Sequence, residues 1–110
     1  MKARRIDLTN YKPPGTVADA EEMNVREMLA NLIAHPGLKL APRDLIRHAT
    51  LADTIEETRG QYIDLDEKQY DMVTKALDKI APLVGLGRPY FPMMQRVYEA
   101  EEIEMEPKAL

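Results

Sequence analysis

Gln61-Tyr62-Ile63-Asp64-Leu65-Asp66-Glu67-Lys68-Gln69-Tyr70, continued to Ile80, decides the reading of this chain. Tyr62 to Leu65 reads as a short strand that runs straight into a helix beginning at Asp66. Asp66 can cap that helix, and Gln69 can reach back to the Asp66 N–H, which makes a capping box. Leu65 and Tyr70 have the spacing of a hydrophobic staple. Tyr70, Val73, Leu77 and Ile80 then recur at three- and four-residue steps and share one helix face. A strand and a helix therefore meet at a defined angle, and the rest of the chain has a surface to pack on.

Upstream, Arg4 to Tyr11 alternates, with Ile6 and Leu8 on one side and Arg5, Asp7 and Thr9 on the other, the period of a half-buried strand. Lys12-Pro13-Pro14-Gly15 ends it, since proline cannot donate to a ladder. Thr16 to Glu22 reads as a surface loop. Asn24 caps a first helix, with Glu27 completing a capping box and Met23 and Met28 at staple spacing. Its stripe is Val25, Met28, Leu29, Leu32 and Ile33, and His35-Pro36-Gly37 stops it. Pro42 suits the first position of a second helix from about Arg43 to Thr58, with Gly60 placed to end it. Leu45, Ala49, Ala52 and Ile55 share a face of this helix, flanked by Ile46 and Leu51.

Downstream, Pro82 falls just past Ile80, and Leu83 to Pro89 reads as an apolar loop tucked against the body. Pro92 opens a last helix carrying Phe91, Met94, Val97 and Tyr98 at helical spacing. Ile103 and Met105 then alternate with Glu102, Glu104 and Glu106, a third strand whose glutamates can oppose Arg4 and Arg5. The expected fold is α+β, a single domain over 1–110, with about four helices packed on a two- or three-stranded sheet made from the chain's ends and its centre.

Composition narrows the chemistry. With 45% apolar residues the 110-residue chain can bury a core of its own. It has no cysteine, which excludes disulfides, thiolate metal sites and cysteine nucleophiles, and no serine. No apolar run is long enough to cross a membrane, and Asp7, Thr9 and Asn10 interrupt any signal-peptide core after the basic start. These features predict a soluble protein that stays where it is made. The net charge of −4 argues against a general nucleic-acid binder. Seven methionines are many for this length, and Met23, Met28, Met72 and Met94 sit at or beside helical apolar positions.

Candidate sites are few. His48 falls on the apolar side of the second helix, where a lone histidine is usually a hydrogen-bonded packing residue rather than a catalyst. His35 stands at a helix end, where a cation suits the dipole. Neither the histidines nor the acidic runs have a metal-ligand spacing. Gly85-Leu86-Gly87-Arg88 follows a helix and lacks the lysine-serine ending of a phosphate loop. No metal, cofactor or catalytic residue is therefore expected. What remains is surface for a partner: Ile46 and Leu51 on the flank of the second helix, and Leu83, Val84 and Leu86 in the apolar loop. An alternative is a DNA-binding regulator that uses residues 24–59 as a helix-turn-helix-like pair, with Arg43 and Arg47 on the second helix.

Three segments carry a resemblance: Arg5-Ile6-Asp7-Leu8-Thr9-Asn10-Tyr11, Pro36-Gly37-Leu38-Lys39-Leu40, and Tyr62 through Tyr70. They resemble small uncharacterised proteins encoded in tailed-phage and prophage genomes. The resemblance implies a phage or prophage protein made in a bacterial cytoplasm, and no particular activity. The expected function is a non-enzymatic interaction protein whose partner is another protein or a second copy of itself, such as an assembly or accessory factor of a phage particle.

Overall fold

In the computed structural model, which describes residues 2–14 and 21–104, the segments of strand period find each other. β1 (Lys2–Asp7) and β2 (Tyr62–Asp66) run antiparallel, with Ile6 opposite Ile63 and Arg4 opposite Leu65. β3 (Glu101–Glu104) lies along the other edge of β1, giving the order β2-β1-β3. Its register sets Glu102 opposite Arg4 and Glu101 opposite Arg5, but the ion pair formed is between Glu102 and Lys2 at 3.7 Å, while Arg4 donates to the Ala100 carbonyl at 3.2 Å. Ile6, Leu8, Ile63 and Leu65 are buried on the helix-covered face. On the other face Arg5 grips Asp64 through two bonds, Nε to Oδ1 at 2.9 Å and Nη2 to Oδ2 at 3.2 Å, which marks the register from outside.

β1 is shorter than its alternation suggests. Asp7 Oδ1 accepts the Thr9 N–H at 2.8 Å, a local bond that turns the chain out of the ladder. Tyr11 is instead bridged to Met23. Met105 and most of the Thr16–Glu22 loop lie outside the described residues.

Among the described residues four helices complete the fold: α1 (Val25–Ile33), α2 (Pro42–Glu57), α3 (Glu67–Val84) and α4 (Phe91–Tyr98). The capping box at α3 is closed in both directions. Asp66 Oδ1 accepts the Gln69 N–H at 2.8 Å, and Gln69 Oε1 accepts the Asp66 N–H at 3.0 Å. Val73, Leu77 and Ile80 are fully buried, and half-buried Tyr70 donates its hydroxyl to the Val97 carbonyl at 2.7 Å. Replacing Asp66 by alanine removes one half of the box and costs about 1 kcal/mol, read as a lower urea midpoint at unchanged slope.

α3 does not stop before Pro82. A proline in the last turn forfeits a single intrahelical N–H bond, so the helix runs on to Val84. It ends where Gly85 takes the left-handed conformation at φ 69°, and the Leu86 N–H closes the turn on the Ala81 carbonyl at 3.0 Å. Leu83 and Val84 thus belong to a helix end and are exposed, not tucked in a loop; Leu86 alone packs on the core. In α4 the inward residues are Met93 and Val97, not Phe91 and Tyr98, which are exposed; Met94 is half-buried. Tyr98 is turned outward and tied to α3 by its hydroxyl, which donates to Asp78 Oδ1 at 2.6 Å.

α3 packs against the sheet, α1 and α4, while α2 rests chiefly on α1. The helix layer is pinned by one guanidinium. Arg26 of α1 donates to the carbonyls of Thr58 at 2.7 Å and Leu8 at 3.4 Å, and to that of Gly60. It thereby joins α1, the end of β1 and the α2–β2 connection. That connection shows why Gly60 is not a helix stop: Thr58 leaves α2 in extended geometry at φ −67°, ψ 120°.

Candidate functional site: the outer face of α2

Among the described helices α2 alone has most of its residues exposed. Its buried residues are Leu51, Ala52 and Ile55, joined by half-buried His48. This stripe is rotated from the one read in the sequence, because α1 sets the phase. Leu45 (44% exposed) and Ala49 fall outside it, and Leu51 lies inside it at 4%. Leu51 therefore belongs to the core, with only its edge left in the groove toward α3. Ile46, at 67% exposed, stays on the outer face.

His48 is a fastening. Its Nδ1 lies 2.7 Å from the Ile33 carbonyl, so that nitrogen carries the hydrogen and ties α2 to the end of α1. His35 likewise serves the backbone, its Nδ1 accepting the Gly37 N–H at 2.9 Å, which is the opposite of the cationic role its helix-end position suggests. Gly37 sits tight there: a Cβ on it would meet His35 Nδ1 at 2.9 Å and Ile80 Cδ1 at 3.1 Å. Among the described residues no group of acidic and histidine side chains could hold a metal ion.

The outer side of α2 is less polar than its sequence reads. Thr50 Oγ1 donates to the Ile46 carbonyl at 2.9 Å, Thr54 to Thr50 at 3.0 Å and Thr58 to Thr54 at 2.7 Å. Hydroxyls bound to the backbone four residues earlier have used their one hydrogen within the helix and offer a partner only an acceptor, so this side presents fewer free donors than its sequence suggests. Ile46, Thr50 and Thr54 thus form a ridge at four-residue steps, with Leu51 and Met72 beside it in a shallow groove of about 260 Å³ toward α3. A second groove of about 520 Å³ shares Arg47 and Met72 with it and reaches His48 and Lys79. Its charges are already engaged: Lys75 lies 2.8 Å from Asp71, whose carboxylate raises the Lys75 pKa, and Lys79 donates to the Leu38 carbonyl.

The DNA-reading arrangement fits poorly. Arg43 and Arg47 are exposed on the first half of α2, but Arg47 stands 4.0 Å from Asp44, and Asp53, Glu56 and Glu57 occupy the second half. Residues 34–41 with their 3₁₀ turn at Pro36–Leu38 make a connection longer than the turn of about three or four residues in that motif. Compared with family models, curated proteins and solved structures, the chain matches none.

A second exposed apolar group lies at the far end of α3 and on α4: Leu83, Val84, Phe91 and Tyr98. Phe91 and Tyr98 were not legible as surface, since their helical spacing is as good as that of Met93 and Val97. Burial, followed by the bond to Asp78, pushes the Tyr98 hydroxyl well above the tyrosine range near ~10. Burial also raises Tyr11. A raised phenol favours the fold while it stays protonated, so this contribution is complete below pH ~10 and is lost as pH climbs through the raised values. Absorbance titration near 295 nm should show two late-ionising tyrosines in the folded protein, and Tyr98→Phe should remove one of them.

Proposed function

We propose that the protein is a non-enzymatic interaction module, an assembly or accessory component of a phage or prophage particle that binds another protein or a second copy of itself. One observation carries the reading. The core is complete without Ile46, Leu83, Val84, Phe91 and Tyr98, which are exposed large apolar side chains: Ile46 on α2, Leu83 and Val84 in the last turn of α3, and Phe91 and Tyr98 beside one groove on α4. Scattered single apolar residues need no explanation, but groups of them on stable helices are the usual mark of a protein-binding surface. The phage setting rests on the likeness of the three segments quoted above.

The test is site-specific photo-crosslinking in the producing cell, with the reactive residue placed at position 46, at position 91, or at the exposed polar position 67 as a control. Discrete protein adducts from 46 or 91 and none from 67 support the reading. Adducts from none of them, together with salt-dependent binding to random duplex by the pure protein, would replace it with the DNA-binding alternative through Arg43 and Arg47.

A further inference from the structure

On the face of α2 centred on Thr50 the exposed charges are antisymmetric about that residue; Asp44 and Glu56, also exposed, break the pattern but lie roughly 120° away around the helix. Arg43 and Arg47 stand seven and three residues before it, and Asp53 and Glu57 stand three and seven after it. Ile46 precedes it by four and Thr54 follows by four, so the ridge is symmetric about the same point. All seven residues of that face are exposed, and steps of three, four and seven keep them on one side of the helix.

We infer that two copies of the protein associate through α2, antiparallel, about a two-fold axis at Thr50. A two-fold axis makes each surface meet itself, so a surface can be self-complementary only if its charges reverse across the axis. Here they do. Ile46 of one copy meets Thr54 of the other, Arg47 faces Asp53, and Arg43 faces Glu57. A parallel pairing would set Arg43 and Arg47 against their own copies. The helix is 16 residues, about 24 Å. A single pair of such helices buries less than the roughly 1,200–2,000 Å² of a stable complex, so the dimer is transient and depends on concentration and salt. This inference specifies one partner within the interaction reading and rests on it.

Sedimentation equilibrium at low and high salt tests it, on wild type and on two charge-reversed proteins, Arg43→Glu with Arg47→Glu, and Asp53→Lys with Glu57→Lys. Wild type should dimerise at sub-millimolar concentration and less so in high salt, each reversed protein should be monomeric, and their equimolar mixture should associate. The first reversal places acid at the helix start and the second places base at its end, and each change suits the helix dipole, so lost association does not follow from a weakened helix. A wild type still monomeric at about 1 mM in low salt, the weak end of specific association, would overturn the inference, as would association that survives either reversal. Adducts from position 91 alongside that failure would leave the broader interaction reading standing.

Discussion

Leu77→Ala lowers the stability of the protein by about 3–4 kcal/mol, the largest effect expected of a single substitution. Leu77 lies at the middle of α3, fully buried, on the helix that packs against the sheet, α1 and α4. Truncating it removes the transfer free energy of the lost carbons and leaves a cavity lined by several elements at once. Such a site relaxes poorly, which places the cost toward the upper part of the range for leucine truncations. The urea midpoint should fall with the slope unchanged. By contrast, Leu83→Ala on the same helix should change stability by no more than about 0.5 kcal/mol, because Leu83 is 63% exposed. Equal losses at the two positions would mean that α3 is turned differently from the description above.

Arg26→Met costs about 2–3 kcal/mol for a different reason. Methionine keeps the stem and removes a guanidinium that donates to the carbonyls of Leu8, Thr58 and Gly60. Bonds to a charged donor contribute more than neutral ones, and the loss leaves part-buried carbonyls short of a partner. Arg26→Lys should recover little, since one ammonium on a flexible stem does not reproduce a planar fork that reaches three carbonyls on two separate stretches of backbone. Thermal unfolding of wild type, Arg26→Met and Arg26→Lys settles the matter; a lysine variant as stable as wild type would show that charge alone, and not the fork, is what matters there.

The strand–cap–helix unit at Tyr62–Ile80 was legible because each signal in it is local: a period of two, a reciprocal Asp66–Gln69 cap, then a period near 3.6. The pairing of the chain ends was legible from the alternation of β1 and β3, but the charge argument for it was not what formed: Arg4 binds the Ala100 carbonyl, Arg5 binds Asp64, and Glu102 meets Lys2. α2 was harder. Its apolar residues cover so wide an arc that several stripes are possible, and only packing on α1 selects Leu51, Ala52 and Ile55 over Leu45 and Ala49. The same ambiguity hid Met93 behind Phe91 and Met94 in α4. Pro82 misled because a proline is a strong breaker inside a helix and a weak one in its last turn. The candidate site suffered most. Ile46 could be read as spare surface, but the loss of free donors at Thr50 and Thr54 depends on hydroxyls turned to carbonyls four residues back, a choice of rotamer that composition does not reveal.

Amide hydrogen exchange followed residue by residue puts the central claim, that α3 is the inward spine and α2 the spare surface, to its most direct test. The amides of Val73, Leu77 and Ile80 should exchange only when the whole molecule unfolds, while those near Thr50 on α2 open at a lower free energy. Exchange around Leu77 as fast as around Thr50 would contradict it.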